Sequence, residues 1–140
     1  MKRTSIFFRS ELFQPDQREI DYAQIQKHDL IFTNSLCDFL NAKVSKVGYE
    51  VGTGEISQRS IYTENCQQLR VKSDAPFDMW ILCGSYLDGH WALVYPEQAI
   101  IWKRFKPYKT DPFAQRLFEA IVKILDKTEG ISELEFGFSS

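Results

Sequence analysis

Asp88-Gly89 stands between two apolar runs, Trp80-Ile81-Leu82-Cys83 and Trp91-Ala92-Leu93-Val94-Tyr95. Asp-Gly is the strongest short-range hairpin signal, because a type I′ turn needs positive φ at both central residues. Read as a two-residue turn, it pairs Leu87 with His90, Tyr86 with Trp91, Cys83 with Val94 and Trp80 with Glu97. Side chains alternate across a strand. One face then carries Trp80, Leu82, Tyr86, Trp91, Leu93 and Tyr95, and the other Met79, Ile81, Cys83, Ala92 and Val94. Both faces are apolar, which puts the hairpin in the middle of a sheet.

The remaining elements are read outward from this hairpin. Residues 4–10 form a short first strand, and the polar stretch from Gln14 to Glu19 around Pro15 reads as a loop. From about Asp21 to Val47 the apolar residues Ile25, Phe32, Leu36, Phe39, Leu40, Val44 and Val47 keep helical spacing, firmest from Leu30 onward. Gly48 follows where a terminating glycine belongs. Tyr49, Val51 and Ile56 indicate a strand loosened by Gly52 and Gly54. A second strand falls between Ser60 and Lys72, and its polar middle, residues 63–68, makes it an edge strand or a loop. After the hairpin, Ile100 to Lys106 is a more exposed strand ended by Pro107. Asp111 at N-cap and Pro112 at the first helical position open a second helix. Phe113, Leu117, Phe118, Ile121, Ile124 and Leu125 form its buried stripe, and Gly130 ends it. A last strand runs from Ile131 to Phe138. The order β-α-β-β-β-β-β-α-β predicts one α+β domain over residues 1–140, a central antiparallel sheet of about 6–7 strands with two helices on one face.

Charge and cysteine content narrow the function classes. With 17 basic and 19 acidic residues the net charge is −2, not the basic excess of a dedicated nucleic-acid binder. Cys37, Cys66 and Cys83 are odd in number and lack any CxxC spacing, which removes zinc-finger and thioredoxin-like chemistry and fits a reducing compartment. Only three consecutive apolar residues, Ile6-Phe7-Phe8, follow the basic start, short of a signal peptide, and no run approaches a membrane span. The expected location is the cytoplasm, without a membrane role.

No set of residues points to catalysis. Cys83 and His90 are close in sequence, but the two-residue turn puts them about 13 Å apart at about 3.3 Å per residue. Cys83 is then a small core residue and His90 lies at the hairpin tip; a dyad of Cys83 with the distant His28 stays open. There is no GxSxG motif, and Gly84-Ser85 falls inside a strand, where a small residue accommodates a neighbouring ring. His28-Asp29 has no second His or Cys at ligand spacing, and Gly52-Thr53-Gly54 lacks the rest of a phosphate-binding loop. No catalytic, metal-binding or cofactor-binding residue is assigned.

Two surface segments are candidates for partner contact. In Trp102-Lys103-Arg104-Phe105-Lys106-Pro107-Tyr108-Lys109 four cations interleave with three aromatics. Its simplest account is an edge strand guarded by charge against edge-to-edge pairing. The same residues suit a protein interface, or a nucleic acid held at its phosphates and stacked on its bases. The second segment is acidic: Glu11, Asp16, Glu19 and Asp21, either a solvated face or a surface for a basic partner.

In size, compact α+β layout and aromatic hairpin, and in lacking a catalytic set, the chain resembles the small immunity proteins of bacterial toxin systems, contact-dependent inhibition among them. The resemblance covers the whole chain loosely and carries no motif. It implies a non-enzymatic protein that binds and neutralises one cognate toxin. The candidate contacts are Asp16, Glu19 and Asp21 together with Trp102, Lys103, Arg104, Lys106 and Tyr108. The alternatives are a nucleic-acid-binding accessory protein using strand 102–109, and an enzyme with a dispersed active site.

Overall fold

The computed structural model describes residues 5–27, 30, 32–52, 67–75, 78–85, 89–96 and 112–137. These form β1 (Ser5–Ser10), α1 (Gln17–Gln26), α2 (Asn34–Lys46), β2 (Glu50–Gly52), β3 (Gln67–Lys72), β4 (Met79–Ser85), β5 (His90–Pro96), α3 (Pro112–Lys127) and β6 (Ile131–Phe136). The strands make one six-stranded sheet in the order β2-β3-β4-β5-β1-β6, with every neighbouring pair antiparallel. This is the α+β architecture expected. The expected strand from Ile100 to Lys106 lies outside the described residues.

The hairpin strands β4 and β5 are central, as their two apolar faces require. Met79, Ile81, Cys83, Ala92 and Val94 are fully buried on one face. They join Ile6 and Phe8 of β1 and Leu69 and Val71 of β3 against Leu36, Cys37, Leu40 and Val44 of α2 and Leu117, Phe118, Ile121 and Leu125 of α3. Each large side chain buried there contributes about 1.5–3 kcal/mol. The register differs from the expected one by two residues: Ser85 opposes His90, Gly84 opposes Trp91 and Cys83 opposes Ala92. Four residues, not two, therefore connect the strands. A shift of two leaves every side chain on the face the alternation gave it, so the core survives the error. Gly84 does sit opposite a large ring, that of Trp91.

The first helical stretch divides into two helices. Asp16 and Glu19 form a capping box: the Asp16 carboxylate accepts from the Glu19 amide at 2.8 Å and the Glu19 carboxylate from the Asp16 amide at 3.0 Å. This starts α1 at Gln17, inside the stretch read as a loop. Lys27 adopts the left-handed conformation (φ 55°) and ends it. Phe32, expected on a helix face, instead forms an isolated antiparallel bridge to Ser85. α2 begins only at Asn34, and Gly48 (φ 101°) follows it as expected.

Two strands also depart from expectation. β3 is an interior strand between β2 and β4, because Leu69 and Val71 reach the core while Arg70 faces the opposite side. In β6 the register against β1 slips between Phe7 and Arg9, and Glu133 takes φ 53°. The extra residue is a β-bulge. It explains why Ile131 and Leu134, three apart in sequence, both pack on the core.

Candidate functional site

The described residues bring polar or exposed apolar groups together in several regions. The first is at the end of β4 and β5. The backbone amide and carbonyl of Ser85 are both engaged by Phe32, at 3.0 and 3.4 Å. Ser85 and His90 therefore form a non-hydrogen-bonded pair, the kind that brings facing side chains closest. The Ser85 hydroxyl lies 2.6 Å from His90 Nδ1, and His90 Nε2 lies 2.9 Å from the Ser10 carbonyl. A carbonyl only accepts, so Nε2 carries the ring proton and donates. Nδ1 of the neutral ring then accepts from the Ser85 hydroxyl. Phe8, Phe13 and Phe32 surround the imidazole with ring centroids 5.2–6.1 Å away. Burial pushes the His90 imidazole below its ordinary value of 6.5, while the Ser10 hydrogen bond opposes that shift.

His90 is thus a buried residue, 4% exposed, and not a hairpin-tip residue. It opposes Ser85, two positions from Cys83, so the separation from Cys83 is about 7 Å of strand rather than 13 Å. A serine hydroxyl at hydrogen-bond distance from a histidine is the spacing of a nucleophile and its base. Access argues against that use: Ser85 is 0% exposed, and both ring nitrogens are committed. The ring instead joins β1, β4 and β5. A cleft of about 690 Å³ opens beside it, lined by Arg9, Glu11, Phe13, Gln14 and Phe32 among others.

The second region is the junction of α1 and α2. Glu19 Oε2 accepts from the Thr33 and Asn34 amides at 2.7 and 3.2 Å, while its other oxygen closes the α1 capping box. The Thr33 side chain makes no cap hydrogen bond to α2, so a carboxylate from α1 serves the N-terminus of the second helix. Asp16 accepts from the Asn34 side chain at 2.7 Å. That bond, with the Glu19 amide, holds the Asp16 carboxyl below its ordinary value. Asp21 accepts from Gln17 within α1 and is exposed. The expected acidic contact residues are therefore together on and beside α1, two of them committed to capping. The other expected contacts, Trp102, Lys103, Arg104, Lys106 and Tyr108, lie outside the described residues, as do His28, Asp29 and Cys66.

The third region is the sheet face turned away from α2 and α3. Phe7 opposes Trp91, and Leu82 opposes Leu93. Phe7 is 49% exposed, while Leu82, Trp91 and Leu93 are half-buried. At the β3 end this face is closed: the Arg70 guanidinium lies 4.8 Å from the Trp80 ring centre, and Trp80 is buried. The exposed apolar part is therefore centred on β1.

A further cleft of about 500 Å³ lies between the end of α2 and the first turn of α3. Lys72 and Arg116 there are balanced by Glu50 and Asp74, so no single-sign field gathers in it. Among the described residues, no three His, Cys, Asp or Glu side chains converge as metal ligands, and no helix is long and apolar enough to cross a membrane. Comparison with protein-family models, curated proteins and solved structures finds no match to this chain.

The Ser85–His90 pair was missed, although its signal was present. Continuing the alternation of Met79, Ile81 and Cys83 by one step reaches Ser85, and Val94 and Ala92 lead back to His90. Two polar residues extending a buried face predict a buried, hydrogen-bonded pair.

Proposed function

We propose that the chain is a non-enzymatic protein-binding domain, an immunity protein whose partner is one cognate toxin. The observation that supports protein binding is the half-apolar sheet face around Phe7, Leu82, Trp91 and Leu93, opposite the helices. Aromatic side chains at half exposure are the anchors that interfaces bury. The polar groups that make several hydrogen bonds serve the scaffold: Glu19 and Asp16 cap helices, and His90 joins strands. The choice of a toxin as partner comes from the resemblance in size, layout and aromatic hairpin.

The test is recovery of the tagged protein from its native host, with the Phe7→Asp variant beside it. One stoichiometric partner is expected, toxic when expressed alone and harmless when the unsubstituted chain is co-expressed. Because Phe7 is half exposed but sits on an interior strand, Phe7→Asp is expected to cost about 1–2 kcal/mol of folding stability, and affinity is compared where the variant is folded. It is expected to weaken the complex at least about a hundredfold, as loss of a central aromatic anchor does. An unchanged affinity for the partner removes this face from the proposal. Recovery of RNA or DNA without protein favours the basic-aromatic segment 102–109 as a nucleic-acid contact.

A further inference from the structure

The Ser85–His90–Ser10 chain of hydrogen bonds runs in one direction. Ser85 donates to Nδ1, Nε2 donates to the Ser10 carbonyl, and the carbonyl has no proton to return. The neutral ring makes both links with every proton in a bond, whereas an imidazolium keeps them only by donating to the Ser85 oxygen as well. A proton added at Nδ1 turns that nitrogen into a donor, so the Ser85 hydroxyl must rotate and point its own hydrogen elsewhere. Ser85 is fully buried and the ring is caged by Phe8, Phe13 and Phe32. A buried donor turned away from its acceptor is costly, as is a cation taken out of water.

The structure also shows what this cage holds. Phe13, just before α1, packs on Phe8, on Phe39 of α2 and on His90. Phe32, just before α2, packs on His90 and bridges Ser85. α1 itself buries only Ala23 and leaves Ile25 72% exposed. Its hold on the sheet therefore passes largely through the cage around His90, with Glu19 tying it to α2.

We propose that the Ser85–His90–Ser10 chain is an acid-sensitive latch, which fastens the Glu11–Pro15 loop and α1 to the sheet and lets them open when His90 takes up a second ring proton. This inference is independent of the binding proposal. Among the described residues, the other titratable and charged groups near the ring are few. Cys83 is its neighbour on β4, and Arg9 of β1, paired with Glu133 of β6, and Glu11 of the loop stand at the cleft. On α2, Cys37 is buried and Asp38 exposed, and on α1 Glu19 is spent on capping. Histidine is the side chain whose ordinary charge change falls between about pH 7 and 5.

The sign follows from linkage. With the folded value of His90 below 6.5, the closed arm binds fewer protons than the open one. The latch is at full strength above about pH 6.5 and weakens as pH falls through that value toward the folded one. If the ring stays neutral in the closed arm down to about pH 5 and titrates normally in the open one, protection of α1 falls at most about thirtyfold.

The experiment is residue-resolved amide exchange on the full chain near pH 7.5 and near pH 5, corrected for the intrinsic exchange rate, with the His90 ring nitrogens titrated in parallel. Loss of protection is expected in residues 17–26 but not in α3 or β4, setting in as pH falls through about 6.5 and levelling off near the midpoint of the His90 ring. His90→Phe combined with Ser85→Ala removes both polar atoms, and in it α1 protection is expected to be independent of pH over this range. His28→Gln is expected to leave the transition in place. Equal protection at the two pH values overturns the latch. So does a loss that sets in only below the midpoint of the His90 ring, or a transition that disappears in His28→Gln.

Discussion

Ile81→Ala is expected to destabilise the fold by about 3–4 kcal/mol, whereas Leu82→Ala, its neighbour on the same strand, is expected to cost about 1–1.5 kcal/mol. Ile81 lies between Leu69 and Val94 in the sheet and is fully buried beneath the helices. Removing three carbons there leaves a cavity that β4, paired on both sides, cannot close. Leu82 points to the opposite face and is only half-buried, so truncation loses less apolar burial and water fills the space. Urea or guanidinium unfolding of the two variants checks this, with unchanged slopes showing that the change lies in stability and not in compactness. Equal losses would mean that the sheet is buried alike on both faces, contrary to the architecture described.

Glu19→Ala is expected to cost about 2–3 kcal/mol, which is large for a side chain at a partly solvated site. One carboxylate closes the capping box of α1 and accepts both the Thr33 and Asn34 amides at the start of α2. Glu19→Gln keeps an acceptor oxygen but loses the charge and one of the two directions, and an intermediate loss is expected. Far-ultraviolet circular dichroism on denaturation, with amide exchange at Thr33 and Asn34, checks both variants. A loss below about 0.5 kcal/mol for alanine shows that water replaces the carboxylate at both helices. Asp16 adds a pH dependence of its own. Its folded value lies below the ordinary 3.8, so its contribution is complete above that value and is lost as pH falls through the folded one.

These two variants also mark where sequence reasoning carries and where it stops. Alternation across Met79 to Cys83 and Ala92 to Val94 identified the buried face correctly even with the pairing displaced by two, because face depends only on parity. Turn length has no such protection: Asp88-Gly89 signals a tight turn, but the tertiary bridge between Phe32 and Ser85 and the Ser85–His90 bond fix the pairing farther back. Apolar spacing continues through Phe32 and so predicts one helix where the chain forms two. The Phe32 ring serves a helix face or a β-bridge equally well in a one-dimensional pattern. Asp16 and Glu19 stand out in sequence as charges, while their spacing, three apart ahead of an apolar run, is that of a helix start. The second duty of Glu19, at Thr33, lies beyond local reading because it depends on where the chain returns. The half-exposed Phe7 was likewise invisible: its neighbours Ile6 and Phe8 are buried, and only the placement of β1 between β5 and β6 shows which side stays open.

That placement of β1 has a consequence for synthesis. Ser5 pairs with Leu93, and Ile6 pairs with Phe136 on the other side. A ribosome therefore delivers β1 long before either neighbour exists, and Phe8 and Ile6 wait without their core. The β2–β5 meander and α2 can assemble first, since their pairings join successive strands. The nascent chain must keep β1 unpaired until β5 emerges and its other edge open until β6 does, so completion of the sheet is a long-range, late event of the kind that slows folding and leaves an edge open to aggregation.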